Sequence, residues 1–433
     1  MDFLQERVAA TFEQESGRVL AALVARLRDV ELAEDSLQDA LVTALERWPR
    51  DGIPHNPGAW ITTTARNCAI DRLRRDRTLE RKKAVLTTLA ELEQDDRETT
   101  SPDDIPDERL KLIFTCCHPA LAKDAQVALT LQTVGGLTTP EIASAFLIPL
   151  PTMAQRLVRA KRKIRDAGIP YEIPSTETIA ERLDAVLSVL YLIFNAGYIA
   201  PSGDELIRHD LCAEAIRLAR ILAGLLRDDP ALSEDAESLG LLALMLLHHS
   251  RRDARVTAEG EMILLEEQDR SLWHAAEIEK GLAILDHAMS LRQPGIYQIQ
   301  AAIAALHAQA KRPEDTDWKQ IVALYDALYD RLPTSIIVLN RAVAVAMAEG
   351  PQAGLTLLDA LEAQDSESLQ DYYLYHAARA DLLRRLGSLD VALAAYRRAL
   401  ETCENRTEQS FLSQRLAEVE CQIEANNPKI GSG

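Results

Sequence analysis

A chain of 433 residues has room for two or three compact domains, each with its own core, and it excludes a single small module. Its 47% apolar content is that of a globular protein, and abundant Ala, Leu, Glu and Arg favour helix over sheet, so the expected fold class is all-α. The net charge of −19 would argue against a nucleic-acid partner if it were spread evenly, but residues 1–166 hold 24 Lys and Arg against 26 Asp and Glu, whereas residues 167–433 hold 24 against 41.

The start, MDFLQERVAATFEQE, is acidic and lacks a basic stretch followed by an apolar one, so no secretory leader is expected. The longest apolar run, Leu239 to Leu247, is too short for a membrane span. Both readings lead to an expected cytoplasmic location. Cys68, Cys116, Cys117, Cys212, Cys403 and Cys421 form no CxxC pair, so reduced, mostly buried thiols are expected and no metal or other cofactor. Cys116, Cys117 and His118 stand together, but adjacent cysteines point to different faces of a helix and no second ligand cluster follows.

The first informative helix spans Leu32 to Trp48, with Leu37, Leu41, Ala44 and Leu45 on the expected buried side. Glu34, Asp35, Gln38 and Asp39 are left exposed near its positive N-terminal end. A second helix, in NPGAWITTTARNCAIDRLRR, is expected from about Ala59. Trp60, Thr63, Asn67, Asp71 and Arg74 fall on one stripe, and Ile61, Ala65, Cys68 and Ala69 on another. An aromatic ring beside amide, hydroxyl and guanidinium groups suits unstacked bases, and Trp60 equally suits a core anchor. Arg66 to Lys83 carries eight cations, Arg66, Arg72, Arg74, Arg75, Arg77, Arg81, Lys82 and Lys83. The stretch from Glu91 to Glu108 then holds nine acidic residues with Pro102 and Pro106, and it reads either as a solvated tether or as a segment that occupies a cationic channel on a partner.

In LTTPEIASAFLIPLPTMAQRLVRAKRKIR, Thr139 is the expected N-cap of a short helix, followed by Pro140 and Glu141. The chain breaks near Leu147 to Pro149, and a second helix starts at Pro151 with Met153, Leu157, Ala160 and Ile164 on one apolar face. This is the pattern of a helix-turn-helix with its recognition helix. Thr152, Gln155 and Arg156 are the expected base contacts, and Arg159, Lys161, Arg162 and Lys163 the expected phosphate contacts.

These segments, in this order, resemble regions two and four of extracytoplasmic-function sigma factors of the sigma-70 family over roughly residues 5 to 166. The resemblance implies core RNA polymerase and promoter DNA as partners. It implies that Glu34, Asp35, Gln38 and Asp39 dock on the polymerase clamp helices, and that the acidic linker threads into the polymerase cleft. Trp60, Thr63, Arg66, Asn67, Asp71, Arg74 and Arg75 are implied to open and read the minus ten element, and the helix from Pro151 the minus thirty-five element. The family usually starts that helix with Gly-Thr-Val, whereas here it is Pro151, Thr152 and Met153.

The remainder resembles a subgroup with a C-terminal extension of tetratricopeptide-like repeats, through YLIFNAGYIAPSG, LLALMLLHHSRRDAR and LLEEQDRSLW. In HAARADLLRRLGSLDVALAAYRRALE, Ala380, Gly387, Ala392, Tyr396 and Ala399 have the spacing that packs a helical hairpin. Ile321, Tyr325, Leu328 and Pro333 repeat the second-helix part, and Ala353, Leu357 and Ala360 do so again. Asn195 to Gly203 reads as a helix-ending turn rather than a phosphate nest, and His248 and His249 beside Arg251 and Arg252 as solvated helix-end charges; no enzyme activity is expected.

The expected organisation is a sigma region 2 domain over 1–83, an acidic linker over 84–108, a region 4 helix-turn-helix domain over 109–168 and a helical domain over 175–433, with repeats at about 315–425. The acidic excess of the last domain leads to the expectation of an intramolecular contact with the sigma domains, by which it regulates them in cis. Two other readings are a one-component regulator with one helix-turn-helix and a repeat sensor, and a scaffold without a DNA role. The first leaves the Trp60 to Arg75 stripe without a task, and the second leaves both basic clusters unexplained.

Overall fold

The computed structural model describes residues 3–75, 108–146, 148–175, 178–198, 209–228, 235–257, 261–364, 369–403 and 405–426. Most of the acidic linker, the cations from Arg77 to Lys83, and residues 199–203 lie outside them. The described residues are helical, with one isolated β-bridge between Val256 and Met262, so the all-α expectation holds. Two compact units are present, residues 1–192 and 193–433, with the boundary inside a single helix.

In the first unit, α1 (Phe3–Leu27), α2 (Val30–Asp51) and α3 (Pro57–Arg75) pack on one another. Arg28 at φ 55° turns the chain, and the Asp29 side chain then caps α2 by accepting from the Leu32 N–H at 3.1 Å. Ala33, Leu37, Ala40, Ala44 and Trp48 recur every three or four residues and are all buried. Leu45, expected in that stripe, is exposed: Ala44 and Trp48 carry the buried line past it. On α3 the facing side chains are Ile61, Ala65 and Ala69, fully buried as the sequence pattern predicts.

The same unit continues with α4 (Arg109–Cys116), α5 (Lys123–Thr133), α6 (Thr139–Ala145) and α7 (Leu150–Asp166). Beyond α7, the Tyr171 hydroxyl donates to the Ala21 carbonyl at 2.8 Å and the Arg28 guanidinium to the Tyr171 carbonyl at 3.4 Å, which fastens the end of this helical set to the turn after α1. The helix α8 (Ile179–Tyr198) follows, and Arg182 donates to the Phe114 carbonyl at 2.5 Å.

The second unit is built from α9 (His209–Asp228), α10 (Ala236–His249), α11 (Ala275–Ser290), α12 (Ile296–Gln309), α13 (Trp318–Tyr329), α14 (Ser335–Glu349), α15 (Pro351–Gln364), α16 (Tyr373–Arg385), α17 (Leu389–Thr402) and α18 (Arg406–Asn426). Each helix from α12 onward packs against its neighbour in sequence. The apolar run at Leu241 to Leu247 is buried within α10, between α11 and α12, and no described helix is long and apolar enough to cross a membrane.

The hairpin α16–α17 follows its expected spacing: Ala380, Ala392, Tyr396 and Ala399 are buried, and Gly387 turns the chain at φ 77°. The α15 pattern is shifted. Its buried face is Gly354, Leu355, Leu358 and Leu361, whereas Ala360 is exposed and Ala353 and Leu357 sit at the edge. The reason is a close crossing at Gly354, where a Cβ atom would stand 2.6 Å from the Ala342 carbonyl oxygen on α14. The small residue needed for helix contact is therefore the glycine and not the neighbouring alanine.

Candidate nucleic-acid interface

The helix α3 begins two residues earlier than the sequence pattern suggests, because the Asn56 side chain accepts from the Ala59 N–H at 3.1 Å and so caps the first turn. From this start Thr63, Asn67, Asp71 and Arg74 project together as exposed side chains. Trp60 is half-buried, with its ring 5.3 Å from that of the buried Trp48 in an edge-on arrangement, so it anchors the bundle while keeping part of its surface open. Arg66 departs from the expected surface set. It is buried, one helical turn before the buried Ile70, so it lies on the inner flank of the helix. The Arg75 side chain lies outside the described residues.

On α2, Gln38 is exposed, but its acidic neighbours are already engaged. Arg72 of α3 donates to Asp35 at 2.5 Å and to Asp39 at 2.9 Å, and the Asp39 hydrogen bond raises the guanidinium above its ordinary value. Glu34 is half-buried and ion-paired with Lys161. Burial pushes the Glu34 carboxyl up, against the opposing pull of that ammonium group.

The helix-turn-helix is present as α6 and α7. Its cap is Thr138 rather than Thr139: the Thr138 hydroxyl accepts from the Glu141 N–H at 3.4 Å while Glu141 accepts from the Thr138 N–H at 2.7 Å, a reciprocal capping box. The recognition helix begins at Leu150, one residue before the expected start. The Pro149 carbonyl accepts from the Thr152 and Met153 N–H groups at 2.9 and 3.1 Å. Met153, Leu157, Ala160 and Ile164 are buried, as their period predicts. This leaves Thr152, Gln155, Arg159, Arg162 and Lys163 exposed.

Four cations of the helix are ion-paired, Arg162 and Arg165 with Asp166 of the same helix at 3.1 and 3.4 Å. Arg156 is half-buried and faces Asp124 at 3.4 Å, and Lys161 is held by Glu34. Neither pairing was legible in the sequence, since 32 and 127 positions separate the partners.

Cys116 and Cys117 are buried, their sulfurs 3.0 and 3.5 Å from the hydroxyls of Thr133 and Thr130. Burial pushes the Cys117 thiol up to about 11 and the Cys116 thiol higher still, so both remain protonated thiols. In the second unit, His248 and His249 are enclosed, contrary to the expectation of solvated helix-end charges. The His248 Nδ1 lies 3.2 Å from the Tyr198 hydroxyl, and the His249 Nδ1 lies 3.1 Å from Glu277, which also receives Arg252 at 2.8 Å. Burial lowers both imidazoles below their ordinary value.

Three family models match the chain: Sigma-70 region 2 over residues 11–78, Sigma-70, region 4 over 111–164, and a family of unknown function (DUF6596) over 182–289. A relative from Rhizobium meliloti (strain 1021), called uncharacterized protein R00370, is 44% identical over 404 residues, which is 92% of each chain. The two sigma-70 matches fall on α1–α3 and on α4–α7, the helices that carry the exposed polar stripe and the helix-turn-helix. The chain therefore belongs to the sigma-70 family, as an extracytoplasmic-function-like sigma factor with a C-terminal extension, and acts with core RNA polymerase in promoter recognition and transcription initiation.

Proposed function

We propose that α3 and α7 read separate promoter elements, and that the C-terminal unit regulates this activity. The observation that carries the reading is the exposure of Thr63, Asn67, Asp71 and Arg74 on one helix, and of Thr152, Gln155, Arg159, Arg162 and Lys163 on another. On α3, an amide, a hydroxyl and ionic groups beside the open part of Trp60 suit an unstacked minus ten strand. On α7, Thr152 and Gln155 stand at the helix start, where side chains reach base edges of a minus thirty-five duplex, and Arg159, Arg162 and Lys163 suit phosphates.

Polymerase docking centres on the exposed Gln38, with Glu34, Asp35 and Asp39 joining it once their cationic partners withdraw. Arg66 is left out of the base-reading set because it is buried. The domain limits at 83, 109, 168 and 175 remain part of this proposal, as does work in the compartment that holds the polymerase.

The test is run-off transcription with the full chain and purified core enzyme on promoters altered at one element at a time. The Asn67→Ala substitution should reduce output through the minus ten element alone, and Gln155→Ala through the minus thirty-five element alone. Equal losses on all templates would remove the assignment of elements to helices. Truncation after residue 175 with unchanged output and promoter affinity would remove the regulatory role.

A further inference from the structure

The second unit contains a cavity of about 780 Å³, within the range of small-molecule sites. Leu264, Leu265, Leu339, Val343, Met347 and Leu374 supply an apolar wall, and Val343 and Leu374 are 38% and 37% exposed although they are large apolar side chains. The carboxylates on the lining are matched: Asp381 meets Arg384 at 2.6 Å and Arg385 at 2.7 Å, Glu266 meets Arg385 at 3.3 Å, and Glu314 meets Arg312 at 3.4 Å. Glu408 accepts from the Tyr373 hydroxyl at 2.6 Å, and Arg415 is paired with Glu267 and Glu418, each at 3.0 Å.

Arg270 is different. Among the described residues no carboxylate lies within ion-pair distance of it; Asp315 and Glu314 act on it only from further away. Its guanidinium donates to the His307 and Ala310 carbonyls at 2.5 and 2.6 Å, while its Nε is buried without an acceptor. The Arg270 guanidinium lies 4.6 Å from the Trp273 ring centre and that of Arg251 lies 5.7 Å from the same ring. Arg251 in turn donates to the Tyr198 hydroxyl, and Arg255 is buried 3.7 Å from the Tyr198 ring. Neither has a carboxylate within ion-pair distance among the described residues. His307, on the lining, stays neutral, since burial first and the two neighbouring arginines next push it down to about 4.

Of these three guanidinium groups Arg270 lines the cavity, with Arg251 behind it across the Trp273 ring and Arg255 behind Arg251 across Tyr198, where Glu408 acts only from further away. Positive charge is thus backed up behind Arg270 with no carboxylate of the described residues in contact, which favours an anion at its cavity side. We propose that the cavity is the binding site of a small amphipathic anion, whose carboxylate or phosphate head meets Arg270 and whose apolar body lies along Leu339, Val343, Met347 and Leu374. The two head groups share this chemistry, and the ligand makes the C-terminal unit a small-molecule receptor. The binding assay needs neither polymerase nor DNA, so its outcome is separate from the promoter-recognition reading.

Calorimetric titration of the full chain with decanoate, decyl phosphate and uncharged decanol tests this. The expected result is saturable single-site binding of at least one anion, about tenfold or more tighter than decanol, and the tighter of the two anions identifies the head group. Arg270→Met should remove that preference while leaving decanol binding unchanged. Because Arg270 also holds two carbonyls, a second variant, Val343→Trp, fills the cavity from its exposed rim and should abolish binding of all three probes with the fold intact by circular dichroism. No saturable binding of either anion up to about 1 mM, or equal binding of anion and decanol, would overturn the proposal. Undiminished anion binding in a folded Val343→Trp chain would do the same.

Discussion

Lys161 on the recognition helix is ion-paired with Glu34 on α2, so a cation expected at promoter phosphate and a carboxylate expected at polymerase neutralise each other. Both side chains are largely withdrawn from water, at 13% and 18% exposure, and both lose this partner if the helices bearing them separate. Replacing Lys161 with Ala leaves the Glu34 carboxylate half-buried and unmatched, at an expected cost of about 1–3 kcal/mol. Thermal unfolding of the full chain checks this. A smaller loss in the Glu34→Gln, Lys161→Met double variant than in Lys161→Ala would trace the cost to the stranded charge.

The same pair sets a pH dependence. The Glu34 carboxyl is raised in the folded chain, so the folded state holds the proton more firmly than the unfolded one. Its contribution to stability is fully present below the ordinary value of 4.5 and is lost as pH rises through the elevated folded value. Glu34→Gln should therefore flatten the fall in stability above the normal carboxylate range. Urea midpoints at a series of pH values read this directly, and an unchanged slope in the variant would contradict it.

His307 titrates with the opposite sign. Its folded value is lowered from 6.5 to about 4, so the stability tied to its neutral form is present above 6.5 and disappears as pH falls through 4. The shift corresponds to roughly 3 kcal/mol. His307→Gln should reduce the acid sensitivity of the second unit between those limits, leaving the share that the lowered His248 and His249 contribute, as followed by the fluorescence of its neighbour Trp318, whose ring centre lies 5.2 Å away.

At the DNA face, Arg159→Ala should weaken binding of the polymerase-bound chain about equally on all promoters and reduce the salt slope by roughly one. Gln155→Ala should instead cost about 1–3 kcal/mol on the preferred site and relax discrimination at one base pair. Filter binding across a salt series separates the two. A sequence-selective effect from Arg159, with none from Gln155, would reverse their proposed roles.

Trp48 is the largest fully buried side chain of the first unit and supports Trp60 through ring contact. Trp48→Ala should cost about 3–5 kcal/mol, and the first unit should unfold at lower temperature than the second. Differential scanning calorimetry of the whole chain would show two transitions, of which only one moves.

Local periodicity in the sequence determined much of what is observed. The buried face of α7, the exposed stripe of α3 and the α16–α17 hairpin all follow from residues three or four apart, because helix geometry alone places such residues on one face. What it misplaced lies where a partner far along the chain decides the outcome. Arg66 is exposed or buried according to how α3 meets the rest of the bundle, and the contact face of α15 is set by the approach of Ala342 to Gly354. The same holds for charge. The sequence holds six cations from Arg156 to Arg165, but only tertiary packing commits Lys161 to Glu34 and Arg156 to Asp124, or sets Arg270 beside the indole of Trp273 with no carboxylate of the described residues within ion-pair distance. Ion pairing depends on distances of a few ångströms, and such distances between remote segments exist only once the helices have packed.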